Sequence, residues 1–164
     1  MNDESGPDRA LRELDEAHRA RARFYWHAFD ELRAEVGGER AEAILGRAAE
    51  RLGDAAGRRL FASLARPTPA SVAETFLAVS PGGGRLFPHR VLRDGDGTVE
   101  IAVTRCPMQH AWRDAGLAEG DIATLCRIAG RFDHGCFGAA GVRLAAETWR
   151  PGREGCCRLR LSPR

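Results

Sequence analysis

The 164 residues are enough to bury one sizeable core and few for two, so we expect a single domain. With 43% hydrophobic and 29% charged residues, and no apolar run near the roughly 20 residues that cross a bilayer, the composition excludes a membrane partner. The formal net charge is only +2, and the basic residues, all arginine, are interspersed with acidic ones over residues 8–23, which disfavours a nucleic-acid partner.

The start of the chain, residues 1–8, is polar and acidic and lacks the apolar segment of a secretory signal. We therefore expect a disordered lead followed by one α+β domain over residues 9–164, located in the cytoplasm. Within that domain we expect a helical half over about 9–80 and a strand-containing half over about 85–164. The sequence leaves open whether the domain forms a homo-oligomer.

Apolar residues recur at helical spacing through the first half of the chain. The helices predicted from this spacing cover residues 9–36, 41–52, 56–65 and 71–79. Gly37 and Gly53 are predicted to end the first two, because glycine is common just past a helix C-terminus. Ser71 is predicted to be the N-cap of the fourth, with Glu74 at the capping-box position.

Three glycines after Pro81 separate the two halves and predict a flexible hinge. A phosphate-binding loop is disfavoured because no Lys-Ser/Thr follows the glycines. Beyond them the hydrophobic period changes from that of a helix to that of a strand. The predicted strands cover residues 87–92, 98–104, 142–149 and 157–161, and the predicted helices cover residues 108–114 and 118–132. This order predicts an α+β fold, with N-terminal helices packed on a C-terminal antiparallel sheet that has two inserted helices.

All five cysteines lie in the second half of the chain, at Cys106, Cys126, Cys136, Cys156 and Cys157. Their odd number in a cytoplasmic chain favours reduced thiols over disulfide bonds. Cys106 precedes Pro107 where a predicted strand passes into a helix, so the helix N-terminus can stabilise its thiolate. A nucleophilic thiol and a small buried side chain explain Cys106 equally well, whereas packing is favoured for Cys126 and Cys136.

A metal site is the less favoured use of these cysteines, because no CxxC or HxxxH pair occurs. Cys156 and Cys157 are expected to point to opposite faces of a strand, which disfavours one closed site that uses both. We therefore predict neither a metal nor another cofactor. The alternatives to an enzyme are a metal- or small-molecule-binding sensor and an interaction domain whose cysteines only pack.

Two larger side chains also stand out from the pattern. Glu147 interrupts an otherwise apolar predicted strand, so it either faces solvent or points inward. An inward carboxyl would need an arginine partner, or its pKa would rise and it could act as a general base. Trp112 is expected in the core or in the wall of a ligand pocket.

Several short motifs follow one another in a recognisable order. They are residues 99–107, which end in Cys-Pro, then Ala115-Gly116, Leu125-Cys126, Arg143 with Glu147-Thr148, Gly152, and the Cys-Cys-Arg-Leu-Arg-Leu of residues 156–161. With the aromatic-rich first helix and the glycine stop after it, they cover about residues 20–161. In these features the chain resembles the L-2-amino-thiazoline-4-carboxylic acid hydrolase family.

The resemblance implies hydrolytic opening of a five-membered cyclic isothiourea to N-carbamoyl-cysteine, with a small molecule as substrate. The positions that match family-typical residues are Cys106, Pro107, Cys126, Glu147, Thr148, Gly152 and Cys157. Our own hypothesis for the mechanism takes Cys106 or Cys157 as the nucleophile and Glu147 or His110 as the group that moves the proton. It assigns the substrate carboxylate to Arg105 or Arg143 and adds Cys126, Thr148 and Trp112 to the substrate-binding residues.

Overall fold

The computed structural model describes residues 6–164, which form five α-helices, one 3₁₀ turn and one four-stranded sheet. The helices are α1 Gly6–Val36, α2 Gly38–Leu60, α3 Pro69–Ala78, α4 Pro107–Asp114 and α5 Glu119–Ala139. Residues 6–8 lie in the first turn of α1, so the predicted disordered lead was too long there, while residues 1–5 lie outside the described part. Within that part, no helix is long and apolar enough to cross a membrane.

The strands of the sheet all come from the second half of the chain. They are β1 His89–Arg93, β2 Val99–Val103, β3 Arg143–Glu147 and β4 Arg158–Ser162. Their order in the sheet is β1-β2-β4-β3, and each neighbouring pair is antiparallel. Helices α3 and α5 contact the sheet, which confirms the predicted α+β fold.

Helix α2 is continuous where two helices were predicted with a break at Gly53. Glycine was interpreted as a helix stop, but here it makes room for the neighbouring helix. A Cβ at Gly53 would overlap the carbonyl oxygen of Phe132, and a Cβ at Gly135 would overlap that of Glu50. Helices α2 and α5 therefore cross with their backbones in direct contact, which holds α5 in a fixed position beside the sheet.

Helix α3 begins earlier than predicted, because its N-cap is Thr68. The Ser71 N–H donates to Thr68 Oγ1 at 3.2 Å and the Thr68 N–H donates to Ser71 Oγ at 3.0 Å, which forms a capping box. Glu74, predicted to complete that box, instead pairs with Arg93 of β1 at 2.8 Å. The glycines that follow form the 3₁₀ turn Pro81–Gly84 with positive φ angles of 64–86°, a conformation that favours glycine.

The buried core is divided into two clusters of apolar side chains. The helical cluster joins α1, α4 and the N-terminal part of α5 and contains Trp112 and Ile128. The sheet cluster joins α3, the sheet and the C-terminal part of α5 and contains Ile101 and Phe137. Helices α2 and α5 contribute to both clusters, so they tie the two together.

Candidate active site

A cavity of about 310 Å³ lies where the helical cluster and the sheet cluster meet. Its lining residues come from α1, α2, α3, α5, the first turns of α4 and the strands β1, β2 and β4, together with the segments that join them. On α5 the lining residues recur at helical spacing, at Cys126, Ala129, Gly130 and Asp133. Because each element offers one face, side chains far apart in the sequence share this cavity.

Four of the five cysteines line the cavity, namely Cys106, Cys126, Cys156 and Cys157. The fifth, Cys136, is 1% exposed within the sheet cluster. Burial raises the pKa of the Cys136 thiol to about 12. Its position fits the packing role that the sequence favoured, and the cavity brings together the three cysteines that the family resemblance singled out.

Cys156 and Cys157 both face the cavity because they precede β4 and are not part of it. The expectation that they point to opposite faces of a strand was therefore wrong. Two backbone hydrogen bonds fix the pair against β2: the Cys156 N–H donates to the Val103 oxygen at 3.0 Å, and the Val103 N–H donates to the Cys157 oxygen at 2.8 Å. The two sulfur atoms lie 3.5 Å apart.

Cys106 is the N-cap of α4, with an extended backbone at φ −133° and ψ 123°. Its side chain makes no capping hydrogen bond. Hydrogen bonding from Cys156 nevertheless lowers the pKa of Cys106, and the backbone N–H groups of Gln109 and Met108 lower it further, against the opposing effect of burial. A helix N-terminus and a neighbouring S–H group thus favour the thiolate form of Cys106.

The pKa values of the neighbouring thiols Cys126 and Cys156 shift in the opposite direction, upward. Burial raises the pKa of Cys126, and its proximity to Cys157 and Cys106 raises it further. The hydrogen bond to Cys106 raises the pKa of Cys156, because that bond uses the thiol proton. When one proton leaves this group, the electrostatics favour its leaving Cys106.

Asp133 is the carboxyl group of the cavity. The residue is half-buried on α5 and lines the cavity. Burial raises the pKa of Asp133 to about 7, although the charge of Arg21 acts in the opposite direction. A carboxyl group that titrates near neutral pH can both donate and accept a proton during a reaction.

One face of α1 brings His18, Arg21 and Tyr25 to the cavity. His18 Nδ1 lies 2.9 Å from the Leu14 carbonyl oxygen, which can only accept, so this nitrogen carries the hydrogen. Burial lowers the pKa of His18, which leaves Nε2 of the neutral ring as an acceptor. Arg21 donates to Met108 Sδ at 3.5 Å, and its charge lowers the pKa of both Cys106 and Asp133.

Two of the predicted site residues lie on the outer surface. The Glu147 side chain is 65% exposed and pairs with Arg153 at 2.6 Å. Glu147 therefore does not point inward, as a general base in the cavity would have to. Arg143 is exposed on β3, an edge strand of the sheet, so a substrate in the cavity does not meet it.

Three more predicted residues lie near the cavity without lining it. His110 is on α4, where burial lowers its pKa. Arg105 faces Asp15 at 4.0 Å, and Thr148 packs against Gly130 on the far side of α5, beside a second, more open pocket. Trp112, by contrast, does line the cavity; its indole is 1% exposed, and Nε1–H donates to the Ala22 oxygen at 2.8 Å.

The cavity thus contains three groups that the sequence interpretation did not assign to it: Asp133, His18 and Arg21. The spacing of His18, Arg21 and Tyr25 places them on one helix face, which could have marked them as a set. Among residues 6–164, no three His, Cys, Asp or Glu side chains are grouped so that they could hold a metal ion. The prediction that no cofactor is needed stays a prediction.

A model of the L-2-amino-thiazoline-4-carboxylic acid hydrolase family matches residues 17–161, a span that includes every residue lining the cavity. A search of curated proteins finds no match to this sequence. The family match covers most of the chain, both halves of the fold and the four cavity cysteines. On this evidence, the chain belongs to the L-2-amino-thiazoline-4-carboxylic acid hydrolase family.

Proposed function

We propose that the chain is a hydrolase that opens a small cyclic isothiourea or amidine-like acid in this cavity, with Cys106 as the nucleophile. The observation that carries the proposal is the position of Cys106, at a helix N-terminus, beside the Cys156 thiol and in the same cavity as Asp133. A thiolate is a strong nucleophile near neutral pH, and a carboxyl group with a pKa near 7 supplies the proton that the leaving group needs.

Arg21 is the cation that we assign to the substrate carboxylate. Arg21 is an exposed residue that lines the cavity, and its guanidinium donates to the Met108 thioether, which is a weak acceptor. A carboxylate would accept charge-assisted hydrogen bonds from the same group, and these are stronger than a bond to sulfur. The assignment replaces Arg105 and Arg143, which point elsewhere.

The proposed reaction has two steps. In the first, the Cys106 sulfur forms a bond to ring carbon C2, the bond between C2 and the ring sulfur breaks, and the leaving sulfur takes the proton of Asp133. In the second, water adds to C2: its oxygen bonds to the carbon, one of its protons goes to the substrate nitrogen and the other returns to Asp133, and Cys106 leaves as a thiolate. For the aminothiazoline acid of the family name, the product is N-carbamoyl-cysteine.

Replacing Cys106 tests the proposal directly. Cys106→Ala should abolish release of the new thiol from 2-aminothiazoline-4-carboxylate, followed with a chromogenic disulfide reagent after the protein is removed. Cys136→Ala is the matched control, since it removes a thiol that is buried outside the cavity, and it should keep turnover within a few-fold of the parent. Thermal unfolding of both variants checks that they fold. Undiminished turnover by folded Cys106→Ala would remove this cysteine as the nucleophile.

A further inference from the structure

The cavity is lined mainly by apolar side chains once the cysteine end is set aside. Phe76 and Leu77 of α3, Phe132 of α5 and Ile101 of β2 form much of the remaining wall. Phe76, Leu77 and Phe132 are half-buried side chains packed against the sheet cluster, with the Phe76 ring centroid 4.8 Å from that of Phe137, and they also line the cavity. Binding is favourable when apolar atoms of a ligand replace the water against an apolar wall.

Part of the rim of the cavity is apolar as well. Leu52 of α2 and Val79 after α3 line it and are 51% and 59% exposed. Large aliphatic side chains that are exposed at the opening of a cavity are common features of ligand sites. A volume of about 310 Å³ lies within the range of sites that hold drug-sized ligands. A bare ring acid bound at the cysteine end would leave this wall and rim in contact with water.

We propose that the natural substrate carries an apolar group, aromatic or branched aliphatic, which extends from the reactive ring along the wall of Phe76, Leu77 and Phe132 to the rim at Leu52 and Val79. The inference rests on the proposed function for the position of the ring beside Cys106. It adds the substrate class: a cyclic isothiourea or amidine acid with a large apolar substituent.

The size of the effect follows from hydrophobic recognition. One methylene group placed in an apolar pocket changes affinity by about ten- to two-hundred-fold. An aromatic substituent that covers several lining side chains should therefore improve binding at least about tenfold over the bare ring. A polar substituent of similar length should not, because it would lose water without gaining a partner on this wall.

The test compares three ligands: 2-aminothiazoline-4-carboxylate, its N-benzyl derivative and its N-hydroxyethyl derivative. Dissociation constants are measured by calorimetry on the Cys106→Ala chain, which holds the ligand without turnover, and kcat/KM is measured on the parent chain. We expect the benzyl compound to bind at least about tenfold more tightly than the other two.

The rim is tested with the double variant Leu52→Ser and Val79→Ser, both at exposed positions where folding should survive. It should reduce the benzyl preference at least about threefold and leave the affinity for the bare ring unchanged. Leu92→Ser is the matched control, because Leu92 is 56% exposed on β1 and does not line the cavity. It should leave the preference as it is in the parent chain.

The outcomes separate this inference from the proposed function. If the benzyl compound binds no more tightly than the bare ring, the inference is overturned, even if both rings are opened. If the benzyl compound binds more tightly, and the rim variant weakens only that preference, the substrate class is supported. Tight benzyl binding with no ring opening in any compound would remove the hydrolase and leave the apolar ligand class supported.

Discussion

Replacing Asp133 with asparagine should make the folded chain more stable while it removes a proton that the proposed reaction needs. Asparagine keeps the shape of the side chain and cannot carry the charge. Burial raises the pKa of Asp133 from an ordinary 3.8 to about 7. Between those two pH values the folded chain binds more protons than the unfolded chain, so its stability falls as the pH rises.

The expected size follows from the linkage between pKa and stability. The difference between 3.8 and about 7 corresponds to a destabilisation of about 4 kcal/mol, which is fully present once the pH exceeds the folded pKa. At pH 5 the same relation gives a cost of about 1.5 kcal/mol, since the unfolded carboxyl has already ionised and the folded one has not. The stability advantage of Asp133→Asn over the parent chain should therefore grow by about 2.5 kcal/mol between pH 5 and pH 8.

Urea unfolding of parent and variant at pH 5 and pH 8 measures this difference. The contributions of the other titrating groups cancel, because the two chains share them. Asp54→Asn is the control, because Asp54 is an exposed acid of α2 that pairs with Arg58 at 2.8 Å. That pair should contribute less than about 0.5 kcal/mol at both pH values. If Asp133→Asn stabilised the chain by the same amount at pH 5 and at pH 8, the pKa of Asp133 would not be raised in the folded chain, and the reasoning would fail.

Two further predictions concern the helix crossing and the thiols. Gly135→Ala should lower the free energy of unfolding by about 2 kcal/mol, because the new Cβ would overlap the Glu50 oxygen. Overpacking should cost about 3 kcal/mol, and the higher helix propensity of alanine should offset roughly 1 kcal/mol of that. Gly138→Ala, whose Cβ would meet nothing within 4 Å, should be neutral or stabilising, and equal effects of the two in urea unfolding would contradict the close crossing. Cys156→Ala should raise the pKa of Cys106 by removing its hydrogen-bond donor. Alkylation of Cys106, followed by mass spectrometry, should then need a higher pH, and an unmoved pH midpoint would exclude the thiol pair.

The order of helices and strands was predictable from the sequence, because hydrophobic period reports which face of each element is buried. The length of α2 was not. Gly53 looks the same whether it ends a helix or makes room for another one, and only the position of Phe132 across the interface distinguishes the two. The start of α3 was missed for a related reason, since Thr68 and Ser71 both have cap chemistry and the chain uses them as a pair.

For the candidate site, the position of Cys106 was predictable because strand, cysteine and proline follow one another locally. Arg21 was not, because Arg19 and Arg23 flank it on the same helix and nothing local shows which one meets the cavity. Glu147 attracted attention as a charge in an apolar strand, yet its neighbour Arg153 holds it outside. Contacts of this kind depend on the folded arrangement of distant segments, which a hydrophobic pattern does not contain.

The division of the core also affects how proteins with this fold can diverge. A side chain in the cavity wall contacts packed atoms on one side only, so shortening it forfeits fewer dispersion contacts than shortening a fully enclosed residue such as Phe137. Mutations at Leu52 or Val79 can therefore reshape the ligand space without opening either cluster. A lineage with this architecture can acquire new ligand preferences through few substitutions and with little need for compensating changes elsewhere.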